Sequence, residues 1–233
     1  MALNATRHYG SAIAMRPLHE LINRDDPAFP LVREWVKAAV RPVDVLPPSH
    51  TRDDALFQTQ VTTRSAMGAV VYETGGIVVD GGWLRILGSG NAEVTRTLPA
   101  WNAGRSDGFF LVADDAVGGF FAINGGALGD DRKNLYYFAP DSLEWEPTEM
   151  GYSEFLQWAF SGKLDQFYEW IRWPGWDADV RTLHGDRCYA FYPFLFTKEG
   201  AGGCGQRMEV PIEEAWGLQM DLRNQLGSPG QDR

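Results

Sequence analysis

The chain has 233 residues, of which 44% are hydrophobic and 22% charged, with a formal net charge of −10 and two cysteines. This length and composition are typical of a soluble globular protein with one large domain or two small ones. They exclude a disulfide-rich secreted scaffold, and no apolar run approaches the roughly 18 residues of a membrane-spanning helix. We therefore expect a soluble, cytoplasmic protein.

The negative charge is concentrated in the middle of the chain. Residues 107–186 contain 15 acidic and 5 basic side chains, whereas the segments on either side are nearly balanced. Such a surface repels nucleic acid, because binding to phosphates requires lysine and arginine. It would attract a basic protein partner and accelerate its association. The alternative is a solvated acidic face that serves only solubility.

The N-terminal part is predicted to be helical. Residues 1–14 lack the apolar core of a secretory signal and are expected to form a flexible extension. Two helices, separated at 25–27, are predicted within 17–40, and the second has an apolar stripe at Val32, Trp35, Val36, Ala39 and Val40. Residues 41–50 are interpreted as a proline-rich loop. A further helical region over about 53–74, broken near Thr62, completes this part.

The pattern then becomes extended before it returns to helices. Apolar runs between turns rich in glycine and aspartate predict strands at 77–79, 83–87, 109–113, 119–123 and 134–138. Residues 143–147 alternate apolar and glutamate side chains, as an edge strand does. Helices are predicted at 151–162, with Ser153 as its cap, at 164–173 and from Pro211 to Gly227. This order predicts one α+β domain over 15–227, with a mixed or antiparallel sheet covered by the terminal helices, and a flexible tail at 228–233.

The segment ADDAVGGFFAINGGALGDD (113–131) resembles a reaction site at first sight. A phosphate loop requires glycines at fixed offsets followed by lysine and a hydroxyl residue, but after Lys133 comes a predicted strand. The spacing of an EF-hand calcium loop is absent as well. Aspartate is a common turn residue, so we interpret both acidic pairs as turn residues that carry surface charge. These pairs are Asp114–Asp115 and Asp130–Asp131.

Other chemical motifs are weak. His184, Asp186 and Cys188 lie close together but lack the paired ligand spacing of zinc sites. The four histidines are scattered, and the nucleophile motif G-x-S-x-G does not occur. The sequence therefore predicts no catalytic residue, no metal site and no cofactor.

Aromatic residues are dense near the C-terminal third. Residues 152–196 hold 14 of the 30 aromatic side chains. We expect a packed core with a partly exposed edge, and an exposed patch for a protein or carbohydrate is the alternative. Arg172 among the tryptophans and Asp177 beyond them would suit the rim of such a patch. The candidate binding residues are therefore Asp114, Asp115, Asp130, Asp131, Glu144, Glu146, Arg172, Trp173, Trp176 and Asp177.

Several segments carry a family resemblance. From about Leu18 to Leu226 the chain resembles the bacterial family called domain of unknown function 2625, through FFAINGGALG, YYFAPDSLEWEP, MGYSEFLQWA and RWPGWDADV. More remotely, residues 108–160 resemble the SMI1/KNR4-like (SUKH) superfamily, although Gly118–Gly119 stands where many relatives have Gly-Asp. The remoter resemblance implies an α+β fold and, frequently, an immunity protein that binds and neutralises a toxin. It implies no catalytic residues.

Three hypotheses follow for the function. The leading one is a non-enzymatic protein-binding module of the toxin-immunity kind, with the acidic surface of 107–186 facing a basic partner. The second is an enzyme or small-ligand protein with a pocket lined by Trp83, Trp101 and the tryptophans of 170–176. The third is a homodimer whose apolar edge pairs with itself.

Overall fold

A computed structural model describes residues 15–203 and 205–227. The segments expected to be flexible, 1–14 and 228–233, lie outside the described residues. The helices are α1 (Leu18–Leu21), α2 (Phe29–Lys37), α3 (Arg52–Thr59), α4 (Ala66–Glu73), α5 (Leu98–Asn102), α6 (Tyr152–Ala159), α7 (Lys163–Tyr168), α8 (Trp176–Thr182) and α9 (Ile212–Leu226). Within these ranges, none of the helices combines the length and apolar character needed to cross a bilayer.

The strands form one large sheet and one small one. Strands β1 (Val43–Leu46), β2 (Gly76–Val79), β3 (Leu84–Leu87), β4 (Phe109–Asp115), β5 (Phe120–Asn124), β6 (Leu135–Ala139) and β7 (Glu144–Pro147) pair in chain order, and every pairing is antiparallel. Strands β8 (Arg187–Tyr192) and β9 (Gln206–Pro211) form a separate antiparallel pair. The prediction of one α+β domain is confirmed, and the sheet is antiparallel.

Helices cover both faces of the large sheet. Phe120 packs against Trp216 of α9, with ring centres 4.9 Å apart. Its neighbour Phe121 points the other way and packs against Phe155 of α6, also at 4.9 Å. Successive residues of a strand alternate between faces, so a strand between two helical layers is apolar throughout. This explains why all five residues of β6 are buried.

Several predicted elements are confirmed and others were missed. The predicted break in the third helical region separates α3 from α4, and β7 is the edge strand expected from its alternation. The proline-rich stretch 41–50 is not only a loop, because β1 lies within it and pairs with β2. The N-cap of α6 is Gly151 rather than Ser153, and the Glu154 carboxylate accepts a hydrogen bond from the Gly151 N–H at 2.8 Å. Helices α5 and α8 and strands β8 and β9 were not predicted from the sequence.

Candidate functional site

The exposed edge of the large sheet is strongly acidic. We call residues 130–154 the acidic hairpin, because they comprise β6, β7, the turns that flank them and the first turn of α6. The segment holds seven carboxylates and two basic side chains. In the described part of the chain, none of the seven carboxylates forms an ion pair. The seven are Asp130, Asp131, Asp141, Glu144, Glu146, Glu149 and Glu154.

Three of these carboxylates lie together at the β6–β7 turn and on β7. Glu144 and Glu146 are two residues apart on one strand, so they share a face of it. Asp141 precedes them in the turn, and Ser142 donates a hydrogen bond to Glu146 at 3.2 Å. Burial raises the pKa of both Asp141 and Glu146, and the carboxylates of Asp141 and Glu144 raise the pKa of Glu146 further. This concentration of negative charge favours a cationic group beside it.

The other end of the hairpin holds the second acidic pair of the sequence. Asp130 is exposed. Asp131 accepts hydrogen bonds from the Tyr136 hydroxyl at 2.5 Å and from the Asn134 amide at 3.2 Å. The bond from Tyr136 is the main cause of a lowered pKa at Asp131, and it raises the pKa of Tyr136 to about 12. Asp131 is therefore a turn residue that remains charged.

The first acidic pair lies elsewhere, and the expectation that it is surface charge is wrong. Asp114 is fully buried at the end of β4, directly opposite Arg85 of β3 in the sheet register. One of its oxygens lies 2.6 Å from Arg85 Nη2, and the other lies 2.5 Å from Arg96 Nη1. Arg96 also pairs with Asp186 at 2.9 Å. Asp114 is therefore the centre of a buried ionic network.

Asp115 is fully buried too, but the network around it differs. Its Oδ2 accepts hydrogen bonds from the hydroxyls of Tyr137 and Tyr168, each at 2.8 Å. Its Oδ1 accepts the backbone N–H groups of Val117 at 3.0 Å and Gly119 at 2.7 Å, which is the turn chemistry expected from the sequence. Burial raises the pKa of Asp115, whereas the hydrogen bonds from Gly119, Tyr137 and Tyr168 favour the carboxylate. A Cβ on Gly119 would lie 2.2 Å from the Tyr137 hydroxyl oxygen, so only glycine fits.

Arg172 is not on the rim of an exposed patch. Its guanidinium lies 3.9 Å from the centre of the Trp176 ring and 4.8 Å from that of Trp83. It also pairs with Asp80 at 2.7 Å and with Asp165 at 2.5 Å, and only 10% of its side chain is exposed. These contacts hold Arg172 within the fold rather than on an exposed surface.

The tryptophans around Arg172 belong mainly to the core. Trp173 is buried and its indole N–H donates to Asp179 at 2.7 Å, whereas 40% of Trp170 is exposed. A core with a partly exposed edge is therefore confirmed. Trp176 is half-buried, and Asp177 is exposed in the first turn of α8. Neither of them lies in the acidic hairpin.

Trp83 and Trp101 have different neighbours in the described part of the chain. Trp83 packs against Trp176 at 5.0 Å, whereas Trp101 packs against Phe120 and lies beneath the guanidinium of Arg105 at 4.5 Å. Trp101 lines a separate open cleft of about 330 Å³. Its polar lining residues are Thr95, Arg96, Arg105, Asp186 and Glu213, and Glu213 is paired with Arg105.

Candidate nucleophiles and metal ligands can be assessed from the same geometry. Cys188 is buried, and burial raises the pKa of its thiol to about 12, which disfavours the reactive thiolate at neutral pH. Within 15–203 and 205–227, no group of three His, Cys, Asp or Glu side chains is arranged to hold a metal ion. The acidic hairpin is therefore the candidate site, and its chemistry is charge complementarity.

The hairpin contains three carboxylates that were not predicted from the sequence as binding residues. Asp130, Asp131, Glu144 and Glu146 were named, but Asp141, Glu149 and Glu154 were not. The missed signal was the position of Asp141 in the turn directly before the predicted edge strand. An edge strand exposes its neighbouring turns, so a search for carboxylates on both sides of residues 143–147 would have found them.

The fold and this site define a class of protein. It is a single-domain α+β protein with a central antiparallel meander and an acidic edge strand. The chain belongs to the family described as "Protein of unknown function DUF2625", which matches residues 18–215. It is 43% identical over 215 residues to the "Putative uncharacterized protein YbfG" of Escherichia coli K12, covering 90% of this chain and 98% of that protein. It is 38% identical over 208 residues to an "Uncharacterized protein" of Haemophilus influenzae Rd, covering 85% and 91% respectively.

Proposed function

We propose that this protein is a non-enzymatic binding protein of the cytoplasm, and that its acidic hairpin docks a basic surface of a protein partner. The observation that carries the proposal is the acidic hairpin, whose seven carboxylates form no ion pair with any residue that the structure describes and include the cluster on and beside the edge strand β7. The neighbouring carboxylates on and beside β7 repel one another, and a bound lysine or arginine would relieve that repulsion. Complementary charge of this kind accelerates association and selects the partner.

The contact is expected to use side chains rather than backbone. β7 has only four residues and ends at Pro147, which has no N–H to donate to an added strand. Short edge strands with proline and charged side chains resist pairing with a further strand. A basic partner would therefore meet the carboxylates of Asp141, Glu144 and Glu146.

Neutralisation of a toxin is the specific activity that we propose for this site. Proteins that cleave nucleic acid need lysine and arginine where they hold phosphates. An acidic surface complements such a basic surface and could cover it. The remote resemblance of residues 108–160 to SMI1/KNR4-like proteins supports the same activity and an SMI1/KNR4-like fold.

The test compares capture of basic proteins by the unchanged chain and by a triple variant. The variant Asp141→Asn, Glu144→Gln, Glu146→Gln removes three charges without changing the size of the side chains. Proteins captured from the native host would be identified, purified and titrated against both chains at low and high salt. We expect the triple variant to bind at least tenfold more weakly, and binding of the unchanged chain to weaken steeply with salt.

A matched control removes the same number of charges elsewhere. Glu20→Gln, Asp25→Asn and Asp221→Asn alter exposed acids on other parts of the fold, none of which is ion-paired in the described residues. We expect this control to bind like the unchanged chain. Equal weakening in both variants, or no basic partner at low salt, would contradict the proposal.

A further inference from the structure

The small sheet has a free edge that differs from the edges of the large sheet. β9 has six residues, its first four are exposed, and in the described part of the chain no other strand pairs with its outer side. The two edge strands of the large sheet, β1 and β7, have four residues each. Proline follows β1 directly at Pro47 and ends β7 at Pro147. β9 also ends at a proline, Pro211, but its six residues leave a longer exposed edge, and a long exposed edge is a template for pairing with another strand.

The backbone of β9 can be oriented from its neighbour β8. The N–H of Tyr189 donates to the carbonyl of Ala116 at 2.7 Å, so it points away from β9. Tyr189 faces Glu209 in the register, and this pair is therefore one without mutual hydrogen bonds. Glu209, and by alternation Arg207, direct their N–H and C=O groups to the outer edge. The Glu209 carbonyl accepts one bond from Arg187 Nη2 at 2.9 Å, which leaves its second lone pair for a partner.

The side chains of this edge are self-complementary. Arg207 and Glu209 flank Met208, and 68% of Met208 is exposed. We infer that β9 pairs with β9 of a second copy of this chain, antiparallel, about a two-fold axis that passes beside Met208. Arg207 of each copy then faces Glu209 of the other, and the two pairs exchange four main-chain hydrogen bonds.

The two adjacent registers place like charges opposite each other. An axis beside Arg207 would face two arginines, and an axis beside Glu209 would face two glutamates, which is destabilising. The axis beside Met208 instead brings two exposed methionine side chains into contact. Arg207 is already positioned, because its guanidinium lies 4.1 Å from the centre of the Trp173 ring. This pairing joins two copies of the chain through β9, so it does not depend on whether the acidic hairpin binds another protein.

Disulfide cross-linking tests the register. Met208→Cys is made in a Cys204→Ser background, where Cys188 stays buried. Directly opposed residues without mutual hydrogen bonds have Cα atoms about 4.5 Å apart, within the range that a disulfide spans. Gln206→Cys is the matched control on the same exposed face, because its counterpart in the other copy would lie four residues away, roughly 13 Å along the strand. We expect a covalent dimer from Met208→Cys under mild oxidation and at least tenfold less from Gln206→Cys.

Light scattering gives a second measurement without cross-linking. Glu209→Pro removes an outward N–H and no main-chain hydrogen bond to β8, although it also removes the ion pair of the Glu209 carboxylate with Arg187 at 3.6 Å. The exposed ion pair contributes little to stability, so the ribbon should remain folded, as circular dichroism would check. We expect the mass of the unchanged chain to rise from 26.0 kDa toward twice that value with concentration, and that of Glu209→Pro to stay monomeric. A monomer at all concentrations, equal cross-linking of the two cysteine variants, or an undiminished Glu209→Pro dimer would overturn the inference.

Discussion

Replacing Asp114 by asparagine is expected to destabilise the fold severely. The substitution keeps the shape of the side chain but removes the negative charge between Arg85 and Arg96. Asp114 is 0% exposed, and the side chains of the two arginines are 1% and 10% exposed. Arg96 retains Asp186, whereas Arg85 loses its only ion pair among the described residues. The change therefore leaves a charge in the interior without its counter-ion.

The expected loss in the free energy of unfolding follows from this burial. Removing one member of a buried ion pair costs about 3–5 kcal/mol, because the remaining charge is desolvated and unpaired. A domain is usually stable by only about 5–15 kcal/mol, so the change would remove a large fraction of the free energy of unfolding. An exposed aspartate in a turn would instead change that free energy by less than about 0.5 kcal/mol.

Urea unfolding at neutral pH, followed by circular dichroism, measures the difference. Asp130→Asn is the matched control, because Asp130 belongs to the second acidic pair and is exposed. We expect a large loss in Asp114→Asn and almost none in Asp130→Asn. A cost below about 1 kcal/mol for Asp114→Asn would refute the buried network, and equal costs would show that the two pairs do not differ in burial.

Two further predictions concern the same segment. Gly119→Ala is expected to destabilise the fold by about 1–3 kcal/mol or more, because the added methyl group would overlap the Tyr137 hydroxyl. Gly217→Ala is the control: its methyl group would enter open space in α9, so it should stabilise the fold by about 0.5–1 kcal/mol. Thermal unfolding measures both changes. Asp131→Asn should return the pKa of Tyr136 from about 12 toward 10, measured by phenolate absorbance. Because the pKa of Asp131 is lowered in the folded protein, its contribution to stability is present above pH ~4 and is lost as the pH falls through the folded-state pKa. An unchanged Tyr136 titration in Asp131→Asn would contradict the pairing of the two side chains.

Much of the sheet could be predicted because its signals are local. Alternation and turn residues indicated β2 to β7 within a few residues, and glycine pairs indicated where α4 stops. β1 was missed because Pro47 and Pro48 suggested a loop, although both follow the strand rather than interrupt it. β8 and β9 were missed because β9 is exposed and carries little apolar alternation. The stability of that pair comes from contacts that a local window does not contain.

The sequence around the two acidic pairs does not predict which pair is buried and which is exposed. Both pairs are adjacent aspartates beside glycine turns, and the local chemistry is the same. Burial of the first pair depends on Arg85, Arg96, Tyr137 and Tyr168, which are 18 to 53 residues away in the chain. The strand order and register bring these partners together. A turn motif therefore predicts the turn but not the charge environment of its side chains.

The acidic residues in the middle third of the chain, 107–186, also differ in burial and in ion pairing. Of its 15 acidic residues, Asp114 and Asp115 are buried, and Asp165, Asp179 and Asp186 are ion-paired. Seven others form the acidic hairpin, against two basic side chains. About half of the excess negative charge therefore belongs to carboxylates that form no ion pair in the described part of the chain. Three of these, Asp141, Glu144 and Glu146, cluster at the β6–β7 turn and on the edge strand β7. A solubilising face needs charge but no such cluster, and the cluster is the reason to favour a docking surface over a merely solvated one.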